Sequence, residues 1–210
     1  MLNNVYKIFF DTEFTGLRQN TSLISIGCIT ETEEIFYFEN TDYNADQVDD
    51  WIQNNVINNL KFLNTKKKIT NYILEDGKNI DKMVGYGNFK FLKRCFNYWV
   101  SELFRKYQKD ILFVSDVSHY DAVLLFELFG GALQAPEYVV PFVWDVNQDL
   151  CRYLNISPKE AFNLNREKFV KEKLDIKIDD NNKHNSFRLL LPPKGGSLAR
   201  QYRVKTCYVT

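Results

Sequence analysis

The chain has 210 residues, 45% of them hydrophobic and 15% aromatic, which is ample for one globular domain and too little for two full ones. Its 27 basic residues balance 27 acidic ones, so no global positive field announces nucleic acid, and no apolar run is long enough to span a bilayer. The N-terminus lacks the basic, apolar and small-residue succession of a secretory signal, and Cys28, Cys95, Cys151 and Cys207 form no C-x-x-C pair. Reduced core thiols and a cytoplasmic location are the expectation, with no membrane partner.

Charge is less even along the chain than in total. From residue 181 to 210 there is no Asp or Glu, while Lys183, Arg188, Lys194, Arg200, Arg203 and Lys205 are basic. An acidic body therefore carries a basic tail.

Residues 5–11, 22–30 and 34–39 read as three successive strands with short connections, an antiparallel meander. The first ends in Asp11-Thr12-Glu13-Phe14-Thr15-Gly16-Leu17, with two carboxylates two residues apart. Strand side chains alternate faces, so Phe9, Asp11 and Glu13 point one way and Ile8, Phe10, Thr12 and Phe14 the other. Two acids facing one cleft repel each other unless a cation lies between them. Hard oxygen ligands select magnesium or manganese, and the chemistry such a site best supports is metal-assisted phosphoryl transfer.

Val48, Trp51, Ile52, Val56 and Leu60 recur at helical spacing and predict an amphipathic helix over 46–60. Residues 61–88 carry Lys66-Lys67-Lys68 and the breakers Gly77, Gly85 and Gly87, which predicts a loop or insertion. Asn88 then reads as the N-cap of a helix over 89–109, whose stripe of Leu92, Cys95, Phe96, Trp99, Val100, Leu103, Phe104 and Tyr107 is core.

The apolar run 111–115 predicts a buried strand parallel to a neighbour, and the right-handed crossover rule lays it beside the first strand. A helix over 119–129, closed by Gly130-Gly131, a fifth strand over 137–143 and a helix from Asp145 to Tyr153 complete the pattern. The expected class is α/β with a mixed five-stranded sheet flanked by helices.

Asp121 falls in the first turn of the helix that follows the buried strand, a common place for site residues. Ser118 three residues earlier also makes it a capping-box candidate. If the two strands are neighbours, Asp121 comes within reach of Asp11 and Glu13. Asp116 stands at the edge of this site, and Asp145 with Gln148 reads as a capping box rather than a ligand pair.

Taken with Ser22-Leu23-Ile24-Ser25-Ile26-Gly27, Tyr120-Asp121 and His184-Asn185-Ser186, the segment Asp11–Gly16 resembles the DEDDh 3′-5′ exonucleases of RNase H-like fold. Within that group the chain is most similar to the small exoribonucleases of bacteria and phages. The resemblance implies an exonuclease-like domain over 1–186 and an atypical tail over 187–210. It implies two magnesium or manganese ions held by Asp11, Glu13 and Asp121, and a general base at His184, with His119 as the competing histidine. Thr12, Phe14 and Leu17 would contact the terminal bases of a single-stranded RNA or DNA 3′ end, with RNA preferred and 5′-mononucleotides released. A homodimer is an allowed assembly.

One departure stands out. The family places a fourth carboxylate five residues after the histidine on a terminal helix, where this chain has Leu189, and Pro192-Pro193 and Gly195-Gly196 forbid a long helix. Three accounts remain open: a protein that binds nucleic acid with little or no turnover, substitution by Asp179 or Asp180, or a change of reading frame near Ser186, where motif and composition shift together.

Overall fold

The computed structural model describes residues 4–63, 80–166 and 168–169, and the backbone of 72–74, 187–191 and 203–207. Strands β1 (Val5–Phe14), β2 (Leu23–Thr30) and β3 (Ile35–Asn40) form the expected antiparallel meander, in register Asp11↔Gly27↔Tyr37 and Glu13↔Ser25↔Glu39. Every residue of β2 is buried, as a central strand covered on both faces requires.

Beyond the meander, α1 (Asp50–Asn55) is much shorter than the helix predicted over 46–60. It is flanked by 3-10 turns at Ala45–Gln47 and Ile57–Asn59. The asparagines explain the break: Asn55 and Asn59 turn their side-chain amides onto nearby backbone carbonyls, competing with helical pairing. Ile52, Val56 and Leu60 share an apolar face as expected, and it packs on Ile24, while Trp51 is 66% exposed and not part of that face.

A second correction falls within 61–88, where a loop was expected. The segment contains β4 (Tyr72–Leu74) and β5 (Lys82–Gly87), the latter parallel to β3 in register Tyr37↔Val84 and Glu39↔Tyr86. Gly85 and Gly87 look like breakers in sequence, yet both lie within β5, where β3 supplies the hydrogen-bonding partner.

Helix α2 (Phe89–Tyr107) opens on Asn88, whose side chain accepts the Phe91 N–H, and it buries the predicted stripe from Leu92 to Leu103. It leads into β6 (Asp110–Ser115), which lies parallel to β1 with Phe9 beside Val114. Helix α3 (His119–Glu127) follows, then β7 (Val139–Asp145) parallel to β6, and α4 (Val146–Leu154) and α5 (Pro158–Phe162).

The molecule is thus α/β, with a mixed sheet in the order β4-β5-β3-β2-β1-β6-β7. Six principal strands and the three-residue β4 replace the expected five, because β5 and β4 extend the sheet beyond β3. The last described strands, β8 (Phe187–Leu191) and β9 (Arg203–Cys207), pair with each other as an antiparallel ribbon.

The sheet separates two apolar layers. Ile8, Phe10, Phe36, Phe38 and Phe113 face α2 and α3, and pack with Phe96, Trp99 and Leu125. Phe9, Tyr37, Val84 and Val114 face the other way, beneath Val146 and Leu150 of α4 and Phe169. Alternation along β1 carries Asp11 and Glu13 onto this second face.

Candidate functional site

Parallel pairing of β1 with β6 decides where the acids meet. Because Phe9 pairs with Val114, the carboxyl ends of both strands open on the same edge, and α3 starts there. Asp121, in its first turn, is 8% exposed. Its Oδ1 accepts the Thr12 backbone N–H at 2.9 Å and the Thr12 hydroxyl at 2.6 Å. Residue 121 is thereby fastened to the residue between Asp11 and Glu13. Ser118 makes no side-chain capping bond, so the capping box is not formed and Asp121 serves the β1 contact instead.

The acids feel one another. Burial first, and then the charges of Asp121, Glu13 and Asp116, push the Asp11 carboxyl well above its ordinary value. Glu13 is raised to about 7 by burial and by Asp121. Burial also raises Asp121, against the lowering effect of its Thr12 bonds, and Asp116 adds to the rise. These are carboxylates whose ionised forms lack a matching cation.

Asp116 is different. Arg166 grips it with two parallel bonds, Nε to Oδ2 at 2.7 Å and Nη2 to Oδ1 at 2.9 Å. The remaining guanidinium bonds go to Asn147 Oδ1 at 2.9 Å, the Ala161 carbonyl at 2.6 Å and the Leu164 carbonyl at 3.2 Å. Next to Asp116, Val117 adopts φ 56°, a left-handed conformation that a β-branched side chain rarely takes. Its N–H donates to Asp145 Oδ1 at 3.2 Å, the same oxygen that caps α4 by accepting the Asn147 N–H at 2.8 Å. Asp145 is the cap of α4, but through Asn147 rather than in the capping box expected with Gln148; its bond to Val117 adds a tie to the site loop.

Across the sheet, Glu39 shares the face of Glu13 through Ser25. It is fully buried, and it accepts backbone N–H bonds from Lys61 at 2.6 Å, Phe62 at 3.0 Å and Leu63 at 2.8 Å, and the Tyr37 hydroxyl at 2.8 Å. These bonds tie the 61–63 segment to the sheet, and Phe62 lies against the rings of Tyr37 and Tyr86.

The geometry brings together Asp11, Thr12, Glu13 and Asp121, with Asp116 beside them. Phe14 stacks on Tyr120 with ring centroids 5.6 Å apart and packs partly against the core. Leu17 is 77% exposed in the loop after Gly16, whose φ of 135° only glycine adopts readily. His119 is exposed at the start of α3. His184, Asp179, Asp180 and the lysine run 66–68 lie outside the described residues.

Sequence reasoning missed Arg166 and Glu39. The acid that Arg166 grips is 50 residues away and the backbone N–H groups that Glu39 accepts from are 22 to 24 residues away, and neither residue sits in a recognisable motif. The one available signal for Glu39 was an acid in an otherwise apolar strand, Ile35-Phe36-Tyr37-Phe38-Glu39.

A hard divalent cation suits these side chains in chemistry, since their oxygens are carboxylates whose charge is unbalanced. Ser115, fully buried and adjacent in sequence to Asp116, has a hydroxyl without a hydrogen-bond partner among the described residues. Among the described residues, however, no three His, Cys, Asp or Glu side chains form a ready-made ligand set. Asp121 spends Oδ1 on Thr12, leaving Oδ2 for any ligand it takes. Among the described residues, no helix is long and apolar enough to cross a membrane. Compared with known proteins, the chain matches no protein-family model and no curated protein.

Proposed function

We propose that the chain is a magnesium- or manganese-dependent 3′-5′ exonuclease of RNase H-like fold. It acts on single-stranded ends, prefers RNA to DNA and releases 5′-mononucleotides. The observation that carries this reading is the attachment of Asp121 to Thr12, which ties the first turn of α3 to the strand segment bearing Asp11 and Glu13, at the carboxyl edge of neighbouring parallel strands. Acids placed only for solubility or capping have no reason to converge under mutual repulsion.

Asp11, Glu13 and Asp121 would hold two divalent ions. When bound, such ions supply an activated water and stabilise the leaving 3′-oxygen, so no nucleophilic Ser or Cys is required. Thr12 fixes Asp121 by its N–H and hydroxyl, which sets the span across which the acids act. Leu17, exposed on the loop beyond Glu13, is the apolar side chain best placed to contact a terminal base. Phe14, stacked on Tyr120, supports the loop from below and is less available to a base than the resemblance implies. His184 is retained as the general base that the resemblance implies.

The test is release of mononucleotides from a 3′-labelled single-stranded oligoribonucleotide with magnesium or manganese. Wild-type protein should shorten it stepwise, and Asp11→Ala should abolish the activity. No release from any labelled RNA or DNA end with either ion overturns the catalytic reading.

A second reading is a nucleic-acid-binding module without turnover. It is favoured by residue 189, where the resemblance calls for an acid on a helix: here it is Leu, within strand β8. Salt-sensitive binding of single strands with no products would support it.

A further inference from the structure

Strand β5 ends at Gly87, and the chain turns directly into α2. Because β5 is parallel to β3, and β1 and β3 are both antiparallel to β2, the first turns of α2 stand at the same sheet edge as the carboxyl end of β1. Three strand spacings, about 14 Å, separate β5 from β1 along that edge.

From residue 82 to residue 101 the chain has four basic residues and no acidic one. Three of the four, Lys90, Lys93 and Arg94, fall in the first two turns of α2, where the helix dipole disfavours cations. No ion pair offsets this cost. Asp42 accepts the Phe89 N–H at 3.0 Å at the start of the helix, yet among the described residues no carboxylate lies within bridging distance of the three cations.

Helical spacing puts Lys90, Arg94 and Tyr98 in one line, with Lys93 on its flank, on the side away from the buried stripe of Leu92, Phe96 and Trp99. Lys90 and Arg94 are exposed, and Tyr98 is 45% exposed. The Arg94 guanidinium lies 5.0 Å from the centroid of the Phe91 ring, a contact that uses its flat face and leaves its N–H donors available. A line of cations without carboxylate partners, with an exposed aromatic ring among them, complements a chain of phosphates that carries planar bases.

We propose that this line on α2 is a docking ridge for the phosphate backbone of a single-stranded nucleic acid, with Tyr98 stacking on a base. It rests on the single-stranded substrate of the reading above and requires no metal at the acids of β1.

Binding is measured on the full chain, in chelator and over a range of salt, by fluorescence anisotropy of a labelled oligouridylate of about fifteen nucleotides. Wild-type protein should bind with an affinity that falls as salt rises. The triple variant K90Q, K93Q, R94Q removes three phosphate contacts. It should bind about tenfold or more weakly at about 0.1 M salt and lower the slope of log affinity against log salt by about two. Its melting temperature should not fall, because the lost charges opposed the dipole. Lys90→Gln with Arg94→Gln should lower the slope by about one and a half, and this pair serves if the triple variant does not fold. Tyr98→Ala should weaken binding about fivefold or more with the slope unchanged. A control that replaces the exposed Lys109, Lys159 and Lys168 by Gln should keep affinity within about twofold of wild type.

Affinity and slope unchanged in the ridge variants, or reduced as far in the control, overturn the proposal, and no binding by wild-type protein in chelator does the same. Tyr98→Ala that binds as wild type does overturns the stacking contact. A triple variant that keeps its oligonucleotide binding but loses binding to phosphatidylserine vesicles assigns the ridge to a membrane surface and also overturns the proposal. Wild-type protein that shortens single strands, with ridge variants that bind and shorten them equally well, overturns this inference alone; wild-type protein that neither binds nor shortens any strand overturns the exonuclease reading with it.

Discussion

At the scale of single residues, the site acids are costly to the fold. Asp11 is pushed well above the ordinary carboxylate range by burial and by Asp121, Glu13 and Asp116. A group whose folded-state value is raised favours the native state only at low pH; its contribution is lost as pH rises through the folded value. At neutral pH and without divalent ions, the ionised cluster therefore works against folding. Asp11→Asn keeps the shape and removes one repelling charge, so it should stabilise the protein at pH 8 in chelator by about 1–3 kcal/mol. The gain should disappear near pH 4, where the unfolded chain also begins to hold its proton. Urea unfolding of both proteins at the two pH values measures this, and a variant less stable than wild type at pH 8 would show that Asp11 is a structural partner rather than a site ligand. Wild-type protein should also melt at a higher temperature with manganese, and the variant should lose most of that rise.

Among the elements, the end of the sheet remote from the acids is held by a different carboxylate. Glu34, at the β2–β3 turn, is 3% exposed and accepts bonds from Tyr6 and Lys106 at 2.8 Å each and from Thr32 at 2.5 Å, with Thr30 and Tyr107 also bonded to it. Burial raises its carboxyl, but the bonds from Lys106, Thr30, Thr32 and Tyr107 outweigh this and bring it down to about 2. Glu34 thus joins the meander to the last turn of α2, the helix that carries the chain across to β6. Because its folded value is depressed, its contribution is complete above the ordinary glutamate range and is lost as pH falls toward 2. Glu34→Gln should cost about 2–3 kcal/mol at pH 7, and the cost should shrink markedly by pH 3. A cost that is the same at both pH values would mean that shape, not charge, is what Glu34 supplies.

Elements also show what could be read without coordinates. The meander, α2 and the β6–α3 step were legible because each has strong local periodicity, and α2 also has a cap in Asn88 whose bond to Phe91 is seen. Asp11, Glu13 and Asp121 could be grouped because one inference, that β6 lies beside β1, follows from a general rule about crossovers. The strand β5 was not legible, since Gly85 and Gly87 imitate a loop and its stability comes from β3, a partner more than forty residues earlier. Trp51 follows the period of the predicted helix but is exposed, while Ile52, Val56 and Leu60 make the contact with Ile24. Arg166 and Glu39 draw their meaning mainly from tertiary neighbours, and the acid at the end of the apolar run 35–39 is the one local mark either leaves.

For the whole molecule, the two layers either side of the sheet divide the work unequally. The layer beneath α2 and α3 contains most of the aromatic core: Trp99 is fully buried, its ring 5.4 Å from that of Phe36 and 6.5 Å from that of Phe96, with Phe113 and Phe129 beyond. Its indole N–H also donates to the Ile80 carbonyl at 2.9 Å, which ties α2 to the approach to β5. The opposite layer has fewer large side chains and carries Asp11 and Glu13 along one edge, where Asp121 reaches β1 from α3. Stability should therefore be governed from the first layer and function from the second. Trp99→Ala should cost about 3–5 kcal/mol in urea unfolding, from lost burial and the cavity left behind, as large aromatic truncations in cores do. The β1–β6 ladder and the Thr12–Asp121 bonds do not pass through Trp99, so variant that remains folded should still show the manganese-dependent rise in melting temperature expected of wild type. If that rise vanishes while the variant stays folded at low temperature, the acids depend on the packing of α2, and the two layers are coupled rather than separate.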